Sequence, residues 1–104
     1  MNDSVEVSKS ITVQDSGMTT TEKLARFETA QHIIGMMVAI RSEWIDQEED
    51  KAQPDLKQIE QWEQEQSKFA DQDNALRFDD LDGIESVIKL YGPVVKGVVS
   101  ENGI

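Results

Sequence analysis

The chain has 104 residues, of which 38% are hydrophobic and 30% charged, and this length and composition are typical of one small globular domain. It contains no cysteine, which excludes disulfide bonds and cysteine-ligated zinc sites. Its formal net charge of −11 argues against direct binding to nucleic acids or anionic membranes, because these carry charge of the same sign.

The first 17 residues are interpreted as a flexible tail. Two short alternations of apolar and polar residues, at 5–7 and 11–13, are too short to predict strands. The segment has neither the basic start nor the apolar core of a secretory signal. The longest apolar run, residues 33–40, is too short for a bilayer, which needs about 20 residues. We therefore expect a cytoplasmic protein.

The first predicted helix begins near Thr19. Thr19 and Glu22 have the spacing of a capping box, in which a hydroxyl and a carboxylate satisfy free backbone amides at a helix start. The helix is expected to continue to Glu48 or Glu49. At ~1.5 Å per residue it would be roughly 45 Å long, which is long for so small a domain.

The middle of this first helix is apolar nearly all round. One face repeats at steps of three and four residues and consists of Leu24, Phe27, Ile34, Val38 and Ile45. A second flank carries Ile33, Met36 and Ile40. A helix with this pattern is buried on several sides, so it forms either the centre of a bundle or part of an oligomer interface. The second flank is therefore a candidate partner-binding surface.

The second predicted helix runs from about residue 54 to residue 69 or 70, after a charged linker over residues 46–55. Pro54 is tolerated in a first helical turn and disfavours helix immediately before it. The apolar stripe of this helix consists of Leu56, Ile59, Trp62, Phe69 and Ala70. The short linker predicts antiparallel pairing with the first helix. Residues 71–80 either prolong the second helix or form a loop.

A third, shorter helix is predicted from Gly83 to Tyr91, with Asp82 and Glu85 at capping-box spacing. The Gly92-Pro93 pair then stops or kinks it, because proline lacks the amide that a helix interior requires. The valine-rich residues that follow form either a short fourth helix or a short strand.

The predicted architecture is an all-α bundle of three helices: a long first helix, an antiparallel second and a shorter third, with the short fourth helix as an alternative ending. We expect a single helical domain over residues 18–99 and a frayed carboxyl terminus over residues 100–104.

No constellation of catalytic residues is recognisable. His32 is the one histidine, and a catalytic histidine needs an orienting carboxylate or a nucleophile nearby. The chain has no glycine-rich phosphate loop and no nucleophile elbow. We therefore predict that the protein is not an enzyme and has no catalytic, cofactor or metal site. Trp44 and Trp62 are expected to meet where the first two helices join, either as core residues or as interface anchors.

Acidic residues concentrate between Glu43 and Asp82, where fourteen acidic and four basic residues give a net charge of −10. Two clusters in this region are candidate partner-binding sites, namely Glu48, Glu49 and Asp50 in the first and Asp79, Asp80 and Asp82 in the second. The alternative interpretation is structural. The second cluster lacks EF-hand spacing and suits a helix start, where aspartate caps free amides and complements the helix dipole; the first suits a solvated turn.

These observations favour a small acidic protein-binding module over an enzyme. The leading hypothesis is an inhibitor or adaptor, antitoxin-like or immunity-like, that covers a basic surface of a protein partner, because opposite charge speeds and orients such encounters. The alternative is a self-associating structural or assembly-factor subunit, which the apolar middle of the first helix indicates. A third hypothesis is a DNA mimic, in which helical carboxylates stand in for phosphates.

Overall fold

The computed structural model describes residues 17–101, which form three helices: α1 (Thr20–Glu49), α2 (Leu56–Ala75) and α3 (Leu81–Glu101). No described residue lies in a strand, so the predicted all-helical fold is confirmed for this part of the chain. The predicted tail lies outside the described residues apart from Gly17, and so does the end of the predicted frayed terminus, residues 102–104.

The start of α1 is the predicted capping box. The Thr19 hydroxyl accepts a hydrogen bond from the Glu22 amide at 3.1 Å, and the Glu22 carboxylate accepts one from the Thr19 amide at 2.8 Å. Two of the amides that a helix start leaves without intrahelical partners are satisfied in this way. The helix ends at Glu49, where the sequence predicted its end.

Replacing Thr19 with alanine is expected to lower the free energy of unfolding by about 1 kcal/mol, because the cap hydroxyl is lost and the Glu22 amide loses its partner. Urea unfolding followed by circular dichroism measures the change. Thr21→Ala is the matched control, since Thr21 is exposed inside the helix and alanine has the higher helix propensity. Equal destabilisation by both substitutions would contradict the role of the cap.

Helix α2 begins at Leu56, two residues after the predicted start. The Asp55 carboxylate accepts a hydrogen bond from the Gln58 amide at 3.1 Å and serves as the N-cap, so the proline before it lies outside the helix. The helix then continues to Ala75, beyond the predicted end at residue 69 or 70. The ambiguous residues 71–75 therefore prolong α2, and residues 76–80 connect it to α3.

Helix α3 begins at Leu81, capped by Asp80 rather than by Asp82. The Asp80 carboxylate accepts a hydrogen bond from the Gly83 amide at 3.0 Å, and its carbonyl accepts one from the Ile84 amide at 2.9 Å. A Cβ atom at Gly83 would collide with this carboxylate, so glycine permits the close approach. Asp82 lies in the first turn, where its charge complements the helix dipole.

The prediction that α3 stops or kinks at Gly92-Pro93 is wrong about the stop. The helix continues through Pro93 to Glu101, so residues 93–99 are neither a separate fourth helix nor a strand, and α3 is not shorter than α2. Packing explains the difference, because Val95 is buried and Val98 and Val99 are half-buried against the core. Burying these valines stabilises the last turns enough to offset the hydrogen bond that proline cannot make.

Helices α2 and α3 both pack on α1. Helix α2 is antiparallel to α1: Trp44 meets Trp62 near the joining turn, with ring centroids 5.6 Å apart, and the Gln66 side chain donates to the Val38 carbonyl further along. The predicted antiparallel pairing and the meeting of the two tryptophans are therefore confirmed.

Helix α3 is parallel to α1. Arg26 and Glu85 form an ion pair beside the first turns of both helices, and Gly92 lies against Ile33 further along. The two outer helices also approach each other through Phe69 and Tyr91, whose rings meet edge to face at 5.4 Å. The core that α1 and α3 share consists of Ala30, Ile33, Ile34, Met37, Ile40, Leu81, Ile84, Val87 and Val95.

Candidate functional site

The two acidic clusters that the sequence singled out lie at opposite ends of the molecule. The Arg26–Glu85 ion pair places the start of α3 beside the start of α1, whereas Glu48 lies in the last turn of α1. At ~1.5 Å per residue, Arg26 and Glu48 are about 33 Å apart along α1. The two clusters therefore do not form one continuous surface.

The cluster at the start of α3 has a local structural role. Asp80 caps the helix and Asp82 lies in its first turn, which is the structural interpretation that the sequence offered for these residues. Asp79 is exposed in the connection before the helix. The hydrogen bonds of Asp80 account for one member of this cluster without any partner.

Glu48, in the other cluster, also has a structural role. Its side chain is almost buried; it accepts hydrogen bonds from the Asp55 amide and from the Lys51 ammonium group, both at 2.9 Å, and so ties the end of α1 to the start of α2. The backbone hydrogen bond from Asp55, and secondarily the bond from Lys51, lower the pKa of Glu48. Glu49 and Asp50 are exposed and remain available to a partner.

Glu48→Gln is expected to destabilise the fold at neutral pH and to have a progressively smaller effect as the solution is acidified. A carboxyl group whose folded-state pKa is depressed contributes stability above its unfolded-state value, and that contribution disappears as the pH falls through the folded-state pKa. The ordinary value is 4.5, so the difference between the variant and the parent protein should shrink below it. Thermal unfolding between pH 7 and pH 3 tests this, and a difference independent of pH would contradict it.

The second flank of α1 is largely covered by α3. Ile33 and Ile40 belong to the core, with 8% and 7% of their surface exposed, and Met36 is half-buried beside them. Of the two explanations for the apolar middle of α1, burial at the centre of a bundle accounts for Ile33 within this chain. Met36 and Ile40 in addition line a groove at the edge of the core.

This groove, of about 570 Å³, lies between the second half of α1 and the last turns of α3. Its apolar part is made by Met36, Ala39, Ile40, Trp44, Val98 and Val99, and its polar edge by Glu43, Gln47 and Glu101. We call these nine residues the tryptophan groove. It is large enough for several side chains of a partner, within the usual range of binding pockets.

Trp44, which lines the tryptophan groove, is held in place by its neighbours. The guanidinium of Arg41 lies 5.1 Å from the centroid of its ring, and Trp62 packs against it. Trp44 also lines a smaller pocket of about 260 Å³ together with Gln47, Glu48, Lys51 and Trp62. A half-buried tryptophan held by its neighbours offers an apolar surface that loses little conformational entropy when a partner covers it.

Exposed carboxylates surround the joined ends of α1 and α2. We call this set the acidic end, and it consists of Glu43, Asp46, Glu49, Asp50, Glu60 and Glu63. Within residues 17–101, no helix carries a basic residue in its last turn. Acidic groups at a helix carboxyl terminus are unfavourable, because the dipole is negative there. The positions of Glu49 and Asp50, at the carboxyl end of α1, are therefore not explained by helix stability.

Possible metal ligands and the histidine are scattered over the described residues. No group of three histidine, aspartate or glutamate residues in the described part lies close enough together to hold a metal ion. His32 is exposed, and no other residue between 17 and 101 orients it through a hydrogen bond. Among α1, α2 and α3, none is long and apolar enough to cross a membrane.

The sequence singled out Met36, Ile40 and Trp44 of the tryptophan groove but did not bring them together in one site. Val98, Val99 and Glu101 were missed, because the sequence left the structure after Pro93 undecided. The apolar spacing of the two valines from Val95 is the pattern that indicates a helical face there. No family model matches the chain, and no curated protein or solved structure shows significant similarity to it.

Proposed function

We propose that this protein is a protein-binding module, an inhibitor or adaptor whose site is the tryptophan groove together with the adjoining acidic end. The observation that carries the proposal is their juxtaposition: Glu43 belongs to both, and Trp44 lies one residue further on. Protein interfaces usually have apolar anchor residues at their centre and polar or charged residues at their rim. Charge of one sign at the rim speeds encounter with a partner of the opposite sign.

The unfavourable position of the carboxylates supports this proposal. Glu49 and Asp50 lie at the negative end of the α1 dipole, and Lys51 next to them is bonded to Glu48. Within residues 17–101, neither carboxylate makes a hydrogen bond or an ion pair. A contact with a partner would explain why both lie where they weaken the helix.

The test is affinity capture from lysate of the source cells with three baits. The first is the parent protein, the second carries Glu43→Gln with Glu101→Gln, and the third carries Glu28→Gln with Asp79→Asn. The second and third have the same net charge, but the third is altered away from the groove. We expect one dominant protein with a basic surface, released by high salt, retained by the third bait and depleted several-fold from the second. Equal capture by all three baits would overturn the proposal.

A self-associating subunit is the second candidate, and a different surface favours it. Leu90 and Val94 are 62% and 48% exposed and lie one helical turn apart on α3, so they form a small apolar patch. Sedimentation velocity over a wide concentration range tests this candidate. A dimer that dissociates on dilution and is lost in Leu90→Glu would support it, and a monomer at all concentrations would exclude it.

A further inference from the structure

We infer that the ligand of the tryptophan groove is a basic amphipathic helix of a partner protein. This inference rests on the proposed binding function and specifies the chemistry of the partner.

The shape of the groove suits a helix. Its walls are two parallel helices, and Met36, Ile40 and Trp44 succeed one another at four-residue steps along α1. At ~1.5 Å per residue these three side chains extend over about 12 Å. Apolar residues at positions i and i+7 of a docked helix are about 10.5 Å apart, which matches this length.

The rim of the groove selects for positive charge. Its charged members are Glu43 and Glu101, and no basic side chain of the described residues lines it. The Gln47 amide donates a hydrogen bond to the Glu43 carboxylate at 3.0 Å, which limits the orientations of that carboxylate before any partner arrives. Lysine or arginine flanking the apolar stripe of a docked helix would pair with both carboxylates.

A second copy of this chain fits the groove less well than a basic partner. Each copy carries a net charge of −11, so docking one copy at the acidic rim of another would bring like charges together. If a second copy nevertheless occupied the groove, the groove signals would change with protein concentration in the absence of any peptide.

The experiment titrates the full-length, ¹⁵N-labelled protein with three synthetic peptides of about 14 residues, or four helical turns. The first contains leucine and lysine in an amphipathic helical pattern, the second is a scrambled isomer of it, and the third carries glutamate in place of lysine. Backbone amide shifts locate the contact, and tryptophan fluorescence gives the dissociation constants at near-physiological salt.

The matched protein variants are Ala39→Arg and Ala25→Arg. Both alanines are exposed on α1, but Ala39 lines the groove and Ala25 lies about 21 Å away along the helix. Arginine at residue 39 would fill the groove and repel a basic ligand. The two variants have the same net charge, so a general electrostatic attraction would be weakened equally in both.

We expect the amphipathic basic peptide to bind about tenfold more tightly than its scrambled isomer, which corresponds to about 1.4 kcal/mol. Its shifts should concentrate at Met36, Trp44 and Val98. Binding should weaken by about tenfold in Ala39→Arg and by less than about twofold in Ala25→Arg, because only the first change blocks the apolar contact. The acidic peptide should not bind.

Three results would overturn the inference: equal affinity for the two isomers, equal weakening in the two variants, or groove shifts that depend on protein concentration without peptide, which would identify a second copy as the ligand. The proposed binding function is tested separately from the nature of the ligand. If Ala39→Arg abolishes capture of a cellular partner but no basic amphipathic peptide enters the groove, the binding function stands and the helical, basic character of the ligand is wrong.

Discussion

Replacing Ile84 with alanine is expected to lower the free energy of unfolding by about 3–4 kcal/mol, because a fully buried side chain is lost and a cavity is left in its place. Ile84 has 0% of its surface exposed and lies in the core that α1 and α3 share. A small domain has only about 5–15 kcal/mol of stability in total. The substitution should therefore remove a large part of the stability of the domain and lower its thermal midpoint by many degrees.

Leu90→Ala is the matched control for this prediction. Leu90 lies in the same helix but has 62% of its surface exposed, so its truncation should cost less than about 1 kcal/mol. Urea unfolding monitored by circular dichroism measures both variants. If Leu90→Ala proved as destabilising as Ile84→Ala, the packing of α3 on α1 would differ from the arrangement described.

Arg41→Ala is expected to lower the free energy of unfolding by about 2–3 kcal/mol, because the substitution removes several interactions at once. Arg41 pairs with Glu65 at 2.8 Å and donates to the Met37 carbonyl at 3.1 Å. Its guanidinium also lies over the rings of Trp44 and Phe69, 5.1 and 4.9 Å from their centroids. Only 13% of its side chain is exposed, so solvent screens these interactions less than at an open surface.

Arg26→Ala is the comparison that isolates the effect of burial. Arg26 makes a two-bonded ion pair with Glu85, but 41% of its side chain is exposed, and such pairs are worth less than about 1 kcal/mol. Arg41→Lys separates charge from shape, because lysine keeps the charge but lacks the planar fork that stacks on rings. We expect the free energy of unfolding of Arg41→Lys to lie between that of the parent protein and that of Arg41→Ala. If Arg41→Ala and Arg26→Ala lowered this free energy equally, the effect ascribed to burial would be contradicted.

The Arg41 prediction bears on the groove as well as on stability. Arg41 stacks on Trp44, so its removal frees the tryptophan that lines the groove. The partner binding that we propose should weaken in Arg41→Ala even under conditions where the variant is fully folded, because Trp44 is then less preorganised. Calorimetric titration with a partner or with the basic peptide measures this loss.

Sequence alone determined the features that depend on neighbours within one or two helical turns. The capping box of Thr19 and Glu22, the end of α1 at Glu49 and the three-helix composition all follow from local hydrogen bonding and from apolar periodicity. The antiparallel return of α2 follows from the short connection. Net charge is likewise a property of the sequence alone.

Only the tertiary structure decided the features that depend on residues far apart in the chain. Helix α3 passes through Pro93 because burying Val95 against α1 offsets the hydrogen bond that proline cannot make. The proline is visible in the sequence, but the burial of Val95 is visible only in the packed structure. Glu48 became a structural residue because Asp55 presents its amide across the turn. The tryptophan groove exists because α3 brings Val98 beside α1. The free energy of such burial depends on contacts between segments far apart in the chain, so it cannot be deduced from a short stretch of sequence.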